Sequence, residues 1–67
     1  MNLYDIFNCI TIQGDIKVCT YDYDNDNTRV WFKGNADSFI APENIWDFDI
    51  KYIYQEDGYT VFEIAER

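Results

Sequence analysis

The chain lacks the residues that most enzymes use for acid–base and nucleophilic chemistry. It has no histidine, a single serine (Ser38) and three separated glycines among 67 residues. Without histidine there is no general base whose ordinary pKa lies near neutral, and isolated glycines do not form a phosphate-binding loop. Cys9 and Cys19 have no evident activating neighbour, so neither is expected to be a nucleophile. We therefore expect a protein that is not an enzyme and that uses no cofactor.

Basic residues, long apolar runs and cysteines are also scarce. Five Lys and Arg stand against thirteen Asp and Glu, for a net charge of −8; because phosphate affinity comes from basic side chains, we expect no direct nucleic-acid binding. No apolar run approaches the roughly 18 residues of a membrane span, and residues 1–12 hold no basic residue for a secretory signal. Two cysteines are too few for a disulfide framework. We expect a cytoplasmic protein, without membrane association, whose free thiols pack as small hydrophobic groups.

Aromatic and apolar residues, by contrast, are abundant. Aromatic side chains make up 19% and apolar residues 48% of the chain, unlike the composition of acidic disordered chains. A domain of this size buries only about 60% of the surface that its unfolded chain exposes. We predict one small folded domain, residues 1–67, with a narrow stability margin.

The first residues show the spacing of an amphipathic helix. Four apolar residues recur at intervals of three and four positions, as on one helical face: Leu3, Ile6, Phe7 and Ile10. Asn2 is a suitable N-cap, and Gly14 is a suitable C-terminal stop. Residues 8–12 are compatible with either helix or strand, because several of them favour a β conformation.

Four strands in two hairpins are predicted to follow. Residues 16–23 and 28–33 form the first hairpin around an Asp/Asn tract, because Asp and Asn favour turns, and Gly34 with Asn35 ends its second strand. Residues 42–46 predict a short helical turn, and the remaining strands form the second hairpin. The predicted fold class is α+β, with the N-terminal helix packed on one face of a four-stranded antiparallel sheet of two hairpins.

Two registers are possible for the second hairpin. A two-residue loop, 57–58, would mix polar and apolar residues on each face. A three-residue loop, 56–58, keeps the apolar residues on one face and places Gly58 in the left-handed position of a G1 bulge. We predict the three-residue loop, with these cross-strand pairs: Ile50 with Ile64, Tyr52 with Phe62, and Lys51 with Glu63.

Both faces of the first hairpin carry apolar groups. By alternation, Trp31 is expected to share a face with Cys19 and Tyr21. Val30 and Phe32 are expected to point to the opposite face. Since one helix covers only one face, either the sheet curls to bury both faces or one face meets a partner.

Acidic residues are concentrated in two segments. Asp22, Asp24 and Asp26 alternate in the Asp/Asn tract, and Asp47 and Asp49 repeat this spacing later. On an extended strand, alternate side chains lie about 6.6–6.8 Å apart, which is comparable to the phosphate spacing of a nucleic-acid strand. One interpretation is a nucleic-acid mimic that occupies a basic groove. The alternative is a charge that keeps an aromatic-rich protein soluble.

The Asp/Asn tract also has a partial likeness to a calcium-binding loop. Positions one, three and five of residues 22–33 are Asp, but Asn27 stands where an EF-hand needs glycine, and Lys33 stands where it needs a bidentate glutamate. We therefore expect no metal site, and instead a solvated turn or an acidic binding loop.

Aromatic residues flank this tract, and Tyr and Trp are enriched in binding hot spots. Packing in the core or at a sheet edge is the alternative for the same side chains. The predicted partner-binding residues are Tyr21, Asp22, Tyr23, Asp24, Asp26, Trp31, Asp47 and Asp49.

Three segments carry a resemblance to known proteins: LYDIF at 3–7, IKV at 16–18 through VWFKGNA at 30–36, and IKYIYQEDG at 50–58 through VFEI at 61–64. In these segments the chain resembles a group of small acidic proteins encoded by phages and mobile elements of Gram-positive bacteria. The resemblance implies a phage or prophage context, in which small acidic proteins often inhibit host defence enzymes, anti-CRISPR proteins among them.

Three hypotheses follow. In the first, a non-enzymatic phage-type protein binds and inhibits a host protein with a basic surface: the Asp residues of the tract pair with Lys or Arg, and Tyr21 and Trp31 are anchors. In the second, a structural or assembly protein forms a homodimer through its second apolar face and buries Trp31 and Cys19. The third is a calcium-responsive module.

Overall fold

The computed structural model of the chain describes residues 1–9, 12–40 and 45–65. These ranges contain a helix, two 3₁₀ helices and four strands. The elements in chain order are α1 (Leu3–Cys9), β1 (Asp15–Asp22), β2 (Asn27–Asn35), the first 3₁₀ helix (Ala36–Ser38), the second 3₁₀ helix (Ile45–Asp47), β3 (Asp49–Glu56) and β4 (Tyr59–Ala65).

Asn2 caps α1, as predicted. Its Oδ1 accepts a hydrogen bond of 2.8 Å from the backbone N–H of Asp5, whose carboxylate accepts one of 3.1 Å from the N–H of Asn2. This reciprocal pair satisfies N–H groups that the start of a helix leaves without intrahelical partners.

The end of α1 differs from the prediction. The helix ends at Cys9, so residues 8–9 are helical, and Gly14 lies in the bend before β1 rather than at the end of the helix. Ile10, the fourth residue of the predicted apolar face, and Thr11 lie outside the described residues. Of the predicted turn at 42–46, the described part belongs to the second 3₁₀ helix, and 42–44 lie outside the described residues.

The four strands form one mixed sheet in the order β2-β1-β4-β3. Each hairpin is antiparallel, but the inner strands β1 and β4 run parallel, with Val18 beside Phe62. The prediction of a purely antiparallel sheet is therefore wrong. Turn residues determine pairing inside a hairpin, whereas the direction in which two hairpins meet depends on the connection between them. Here β2 ends at one end of the sheet, where Asn35 pairs with Asp15, and β3 begins at the other, where Asp49 pairs with Ala65.

The first hairpin contains a β-bulge at Trp31. Val18 pairs with Phe32, but the next residue, Cys19, pairs with Val30. The extra residue reverses the alternation, so Val30 joins Cys19 on one face and Trp31 packs against the core on the other. The prediction that Trp31 shares a face with Cys19, and Val30 with Phe32, is wrong for this reason.

β2 is longer than predicted, because Gly34 and Asn35 both pair with β1. The ring of Phe32 lies beside Gly34, where an added Cβ would be 3.4 Å from the ring. The strand ends at Asn35, whose Oδ1 accepts a hydrogen bond of 2.9 Å from the N–H of Asp37 and so caps the first 3₁₀ helix.

The second hairpin closes with a two-residue turn, so the predicted three-residue loop is wrong. Asp57 and Gly58 both have positive φ, 53° and 84°, as the central residues of a type I′ turn do. Ile50 still faces Ile64, as predicted, because β3 contains one extra residue before Tyr52.

This second bulge changes the cross-strand pairs of the β3 residues that lie between the bulge and the turn. Tyr52 faces Glu63, so the predicted pairs of Tyr52 with Phe62 and of Lys51 with Glu63 are wrong. Because one extra residue inverts the alternation of a strand, the tyrosines of β3 point away from the face on which Ile50 lies.

The hydrophobic core lies on one face of the sheet, which we call the covered face, beneath α1 and the 3₁₀ helices. Its central side chains each have an exposed fraction of 1% or less: Leu3, Ile16, Val18, Ile45, Phe62 and Ile64. Burying one such side chain contributes about 1.5–3 kcal/mol. The ring of Phe7 in α1 lies 5.5 Å from that of Phe62, so the helix packs on the sheet as predicted.

Candidate functional site

The other face of the sheet, which we call the uncovered face, has no helix of the described chain against it. The residues that point to it follow from the strand pairs and from alternation. They include Lys17, Cys19, Tyr21, Val30, Lys33, Tyr52, Tyr54, Glu56, Tyr59, Val61 and Glu63. Several are large and well exposed: Tyr52 has an exposed fraction of 58%, Val30 of 47% and Tyr54 of 39%.

The middle of the uncovered face is packed, although no helix covers it. Val61 and Cys19, on the two inner strands, are 0% and 3% exposed. Beside them Lys17 forms an ion pair of 3.7 Å with Glu56, and Tyr54 faces Val61. Burial raises the pKa of the Cys19 thiol, which therefore behaves as the small hydrophobic group that was predicted.

Cys9 differs from Cys19. Both thiols are free, but Cys9 is exposed, so the prediction that it packs as a hydrophobic group is wrong. It is the last residue of α1, where its side chain reaches solvent.

Two tyrosines lie at the end of the uncovered face next to the acidic turn. The rings of Tyr21 and Tyr23 are 4.5 Å apart, and the Tyr21 hydroxyl donates a hydrogen bond to Asp26. The Tyr23 hydroxyl donates one of 2.7 Å to Glu63 of β4. This bond to a carboxylate raises the pKa of Tyr23 to about 12.

Asp22 holds the acidic turn in place. Its Oδ1 accepts hydrogen bonds from the N–H groups of Asp24 and Asn25, at 3.1 and 3.4 Å, and its Oδ2 accepts one of 2.7 Å from Nδ2 of Asn25. The Asn25 side chain, followed by the backbone donors, lowers the pKa of Asp22. Residues 23–26 form a turn, so the extended spacing on which the nucleic-acid mimicry argument relied is absent.

Trp31 packs against the core and not on this surface. Its Nε1 donates a hydrogen bond of 3.2 Å to Thr20, its ring lies 6.2 Å from that of Phe48, and the guanidinium of Arg29 stacks 3.9 Å from the ring centroid. The packing of its ring against the core and the bulge itself place it on the covered side. The alternative of core packing applies to this residue.

The structure brings together most, but not all, of the predicted site. Tyr21, Tyr23 and the Asp residues of the turn lie at one end of the sheet, the end at which Asp49 begins β3 opposite Ala65. Asp47 is exposed in the second 3₁₀ helix, away from the uncovered face.

The second hairpin supplies half of the uncovered face, and the predicted partner-binding residues include none of its tyrosines. Alternation predicts Tyr52 on the face of the apolar core residues, and Tyr59 and Val61 are not among the predicted binding residues. The dipeptide Asp57-Gly58 was the available signal, because Asp-Gly strongly favours a two-residue type I′ turn. That turn sets the register in which Tyr52 faces Glu63.

Comparison with protein-family models, with curated proteins and with solved structures finds no match to this chain. The resemblance to acidic phage proteins therefore stays a prediction. Within the described ranges, no helix has the length and apolar character that a membrane crossing requires. Nor do three or more Asp, Glu or Cys side chains there form a group that could hold a metal ion.

Proposed function

We propose that this chain is a non-enzymatic binding protein that inhibits a partner protein by docking its uncovered face against the partner. The observation that carries the proposal is a sheet face on which Tyr52, Tyr54 and Val30 are substantially exposed. Tyrosine supplies large, rigid and amphipathic contact area at a low entropic cost, and it is enriched in binding hot spots.

Charge indicates the kind of partner. The chain has a net charge of −8, and Asp22, Asp24 and Asp26 are exposed beside the uncovered face. Lys and Arg of a basic partner surface would pair with these carboxylates, and such complementarity raises the association rate and sets orientation. A depressed pKa keeps Asp22 ionised in this role.

The resemblance to acidic phage proteins suggests a target in the host cytoplasm. A nuclease of host defence, including a CRISPR effector, has the basic nucleic-acid groove that an acidic inhibitor fits. Because the turn is compact, the mimicry we propose is one of charge and not of regular phosphate spacing.

The size of the molecule suits one interface of this kind. It measures 33 × 26 × 19 Å along its principal axes. Its broadest side is comparable to the roughly 800 Å² that each partner contributes to a standard interface.

A homodimer through the same face is the second candidate, favoured by the exposure of Val30 and Tyr52. Trp31 would take no part in it, since its ring packs on the covered face. Each copy carries a net charge of −8, so salt would strengthen the dimer. The same salt would weaken a complex between opposite charges.

The test is affinity capture from a host lysate at low and at high salt. We expect the bound protein to have a basic surface and to be lost at high salt. Reversing the charges of Asp22, Asp24 and Asp26 to Lys should abolish capture, while reversing Asp37, which is on the first 3₁₀ helix, should not. Equal capture by both variants would contradict the proposal, and sedimentation that shows a dimer strengthened by salt would favour the second candidate.

A further inference from the structure

An aromatic groove lies on the covered side of the molecule, between α1 and the two 3₁₀ helices. Its volume is about 440 Å³, within the range of small-molecule sites, about 300–1,000 Å³. The residues that line it are Tyr4, Phe7, Asn8, Ala36, Phe39 and Trp46. It is separate from the uncovered face.

The groove has aromatic walls that hold one another in place. The ring of Trp46 lies 6.4 Å from Tyr4, 5.8 Å from Phe7 and 5.3 Å from Phe39, at steep interplanar angles in each case. Steeply angled neighbours leave ring faces and edges turned in different directions, as in an aromatic cage. The negative faces of such rings attract cations, and Trp attracts them best.

The charged residues on the elements that line the groove have one sign. Every charged residue of α1 and of the two 3₁₀ helices is acidic, namely Asp5, Asp37 and Asp47. Carboxylates near a low-dielectric groove raise the local concentration of cations. The groove therefore combines aromatic ring surfaces with acidic lining elements, in a chain whose net charge of −8 attracts cations.

Rings elsewhere in this protein are already stacked with cations. Arg29 lies over Trp31 at 3.9 Å and Lys33 over Tyr59 at 4.9 Å, both measured to the ring centroid. Among the described residues, no Lys or Arg stacks in this way on a groove ring.

We propose that the groove of Tyr4, Phe7, Phe39 and Trp46 binds a small molecule that carries a quaternary ammonium group. A quaternary ammonium is permanently charged and has an apolar surface, so it gains from both the rings and the carboxylates. We assign a free small molecule rather than a modified side chain of a protein, because the groove has the volume of a small-molecule site.

The test compares choline with dimethylbutanol, the uncharged analogue in which carbon replaces the quaternary nitrogen. Nitrogen–proton NMR spectra report the two indole groups separately. Choline should shift the Trp46 indole signal and leave that of Trp31 unchanged. The affinity for dimethylbutanol should be lower than that for choline by a factor of about ten or more. Equal binding of both compounds, or no shift of Trp46 with choline, would overturn the proposal.

Matched tyrosine variants localise the binding. Tyr4 and Tyr52 are 56% and 58% exposed, but only Tyr4 lines the groove. Tyr4→Leu should weaken choline binding about two- to fivefold, and Tyr52→Leu should leave it unchanged. The Trp31 signal shows whether each variant is folded. Equal effects of the two variants would overturn the location, and a trimethyllysine peptide that binds about tenfold tighter than choline would overturn the assignment to a small molecule.

Discussion

The hydroxyl of Tyr23, in the turn of the first hairpin, donates a hydrogen bond of 2.7 Å to Glu63, 40 positions later in the inner strand β4. This bond ties the acidic turn to the second hairpin. The turn and the uncovered face are therefore parts of one surface, even though distant segments of the chain build them.

The Tyr23–Glu63 bond predicts a late tyrosine ionisation. The pKa of Tyr23 is raised to about 12 from 10.0, mainly by the hydrogen bond to Glu63. A raised pKa means that the bond contributes stability below pH 10 and that this contribution is lost as the pH rises toward 12. In an absorbance titration, Tyr23→Phe should remove the ionisation step near pH 12, and Glu63→Gln should move that step to lower pH. An unchanged step in both variants would show that the bond does not form.

Gly58 should be needed for the stability of the second hairpin. Its φ of 84° disfavours any residue with a Cβ, so Gly58→Ala should lower the free energy of unfolding by about 1 kcal/mol. Asp57→Asn is the matched control, because Asn suits the first position of a type I′ turn, and it should change stability by less than about 0.5 kcal/mol. Urea unfolding measures both, and a neutral Gly58→Ala would contradict the turn.

Val61 and Val30 lie on the same face but should respond differently to truncation. Val61 is 0% exposed and Val30 is 47% exposed. Val61→Ala removes buried methyl groups and should cost about 1–3 kcal/mol of unfolding free energy. Val30→Ala should cost less than about 0.5 kcal/mol and should weaken partner capture instead. Equal losses of stability would mean that the middle of the uncovered face is not packed.

Trp31 should contribute to stability and not to partner binding. Trp31→Phe removes the hydrogen bond to Thr20 and weakens the stacking of Arg29, so the unfolding free energy should fall by about 1 kcal/mol. Partner capture by the folded variant should match that of the wild type. Loss of capture at unchanged stability would restore Trp31 as an anchor.

Local chemistry was predictable from the sequence. Asn2 is a strong N-cap, and the Asp/Asn tract favours a turn, so α1 and the first hairpin begin and turn close to the predicted positions. These features depend on side chains that bond to the backbone a few residues away.

The face of the sheet to which each strand residue points was harder to predict, because it depends on two bulges. Trp31 and Lys51 are the extra residues in β2 and β3, and neither has a residue type that marks a bulge. Each arises because a turn sets the register at one end of a hairpin while core packing sets it at the other. The Asp57-Gly58 turn and the Ile50–Ile64 pair are compatible only if one residue of β3 has no cross-strand partner in β4.

The parallel pairing of β1 with β4 had no local signal, since it depends on β2 ending and β3 beginning at opposite ends of the sheet. The candidate site was only partly predictable, because its residues depend on the bulges and on the strand order. Its acidic turn is predictable, whereas simple alternation predicts the wrong face for Tyr52.

Position-specific photocrosslinking tests the central claim, that the uncovered face docks on a partner, most directly. A photoreactive phenylalanine analogue would replace Tyr52 on the uncovered face or Tyr4 on the covered side, two positions with exposed fractions of 58% and 56%. In host lysate at low salt, we expect a discrete adduct to one basic protein from position 52, lost at high salt, and none from position 4. Adducts from position 4 alone, or from neither position, would contradict the account.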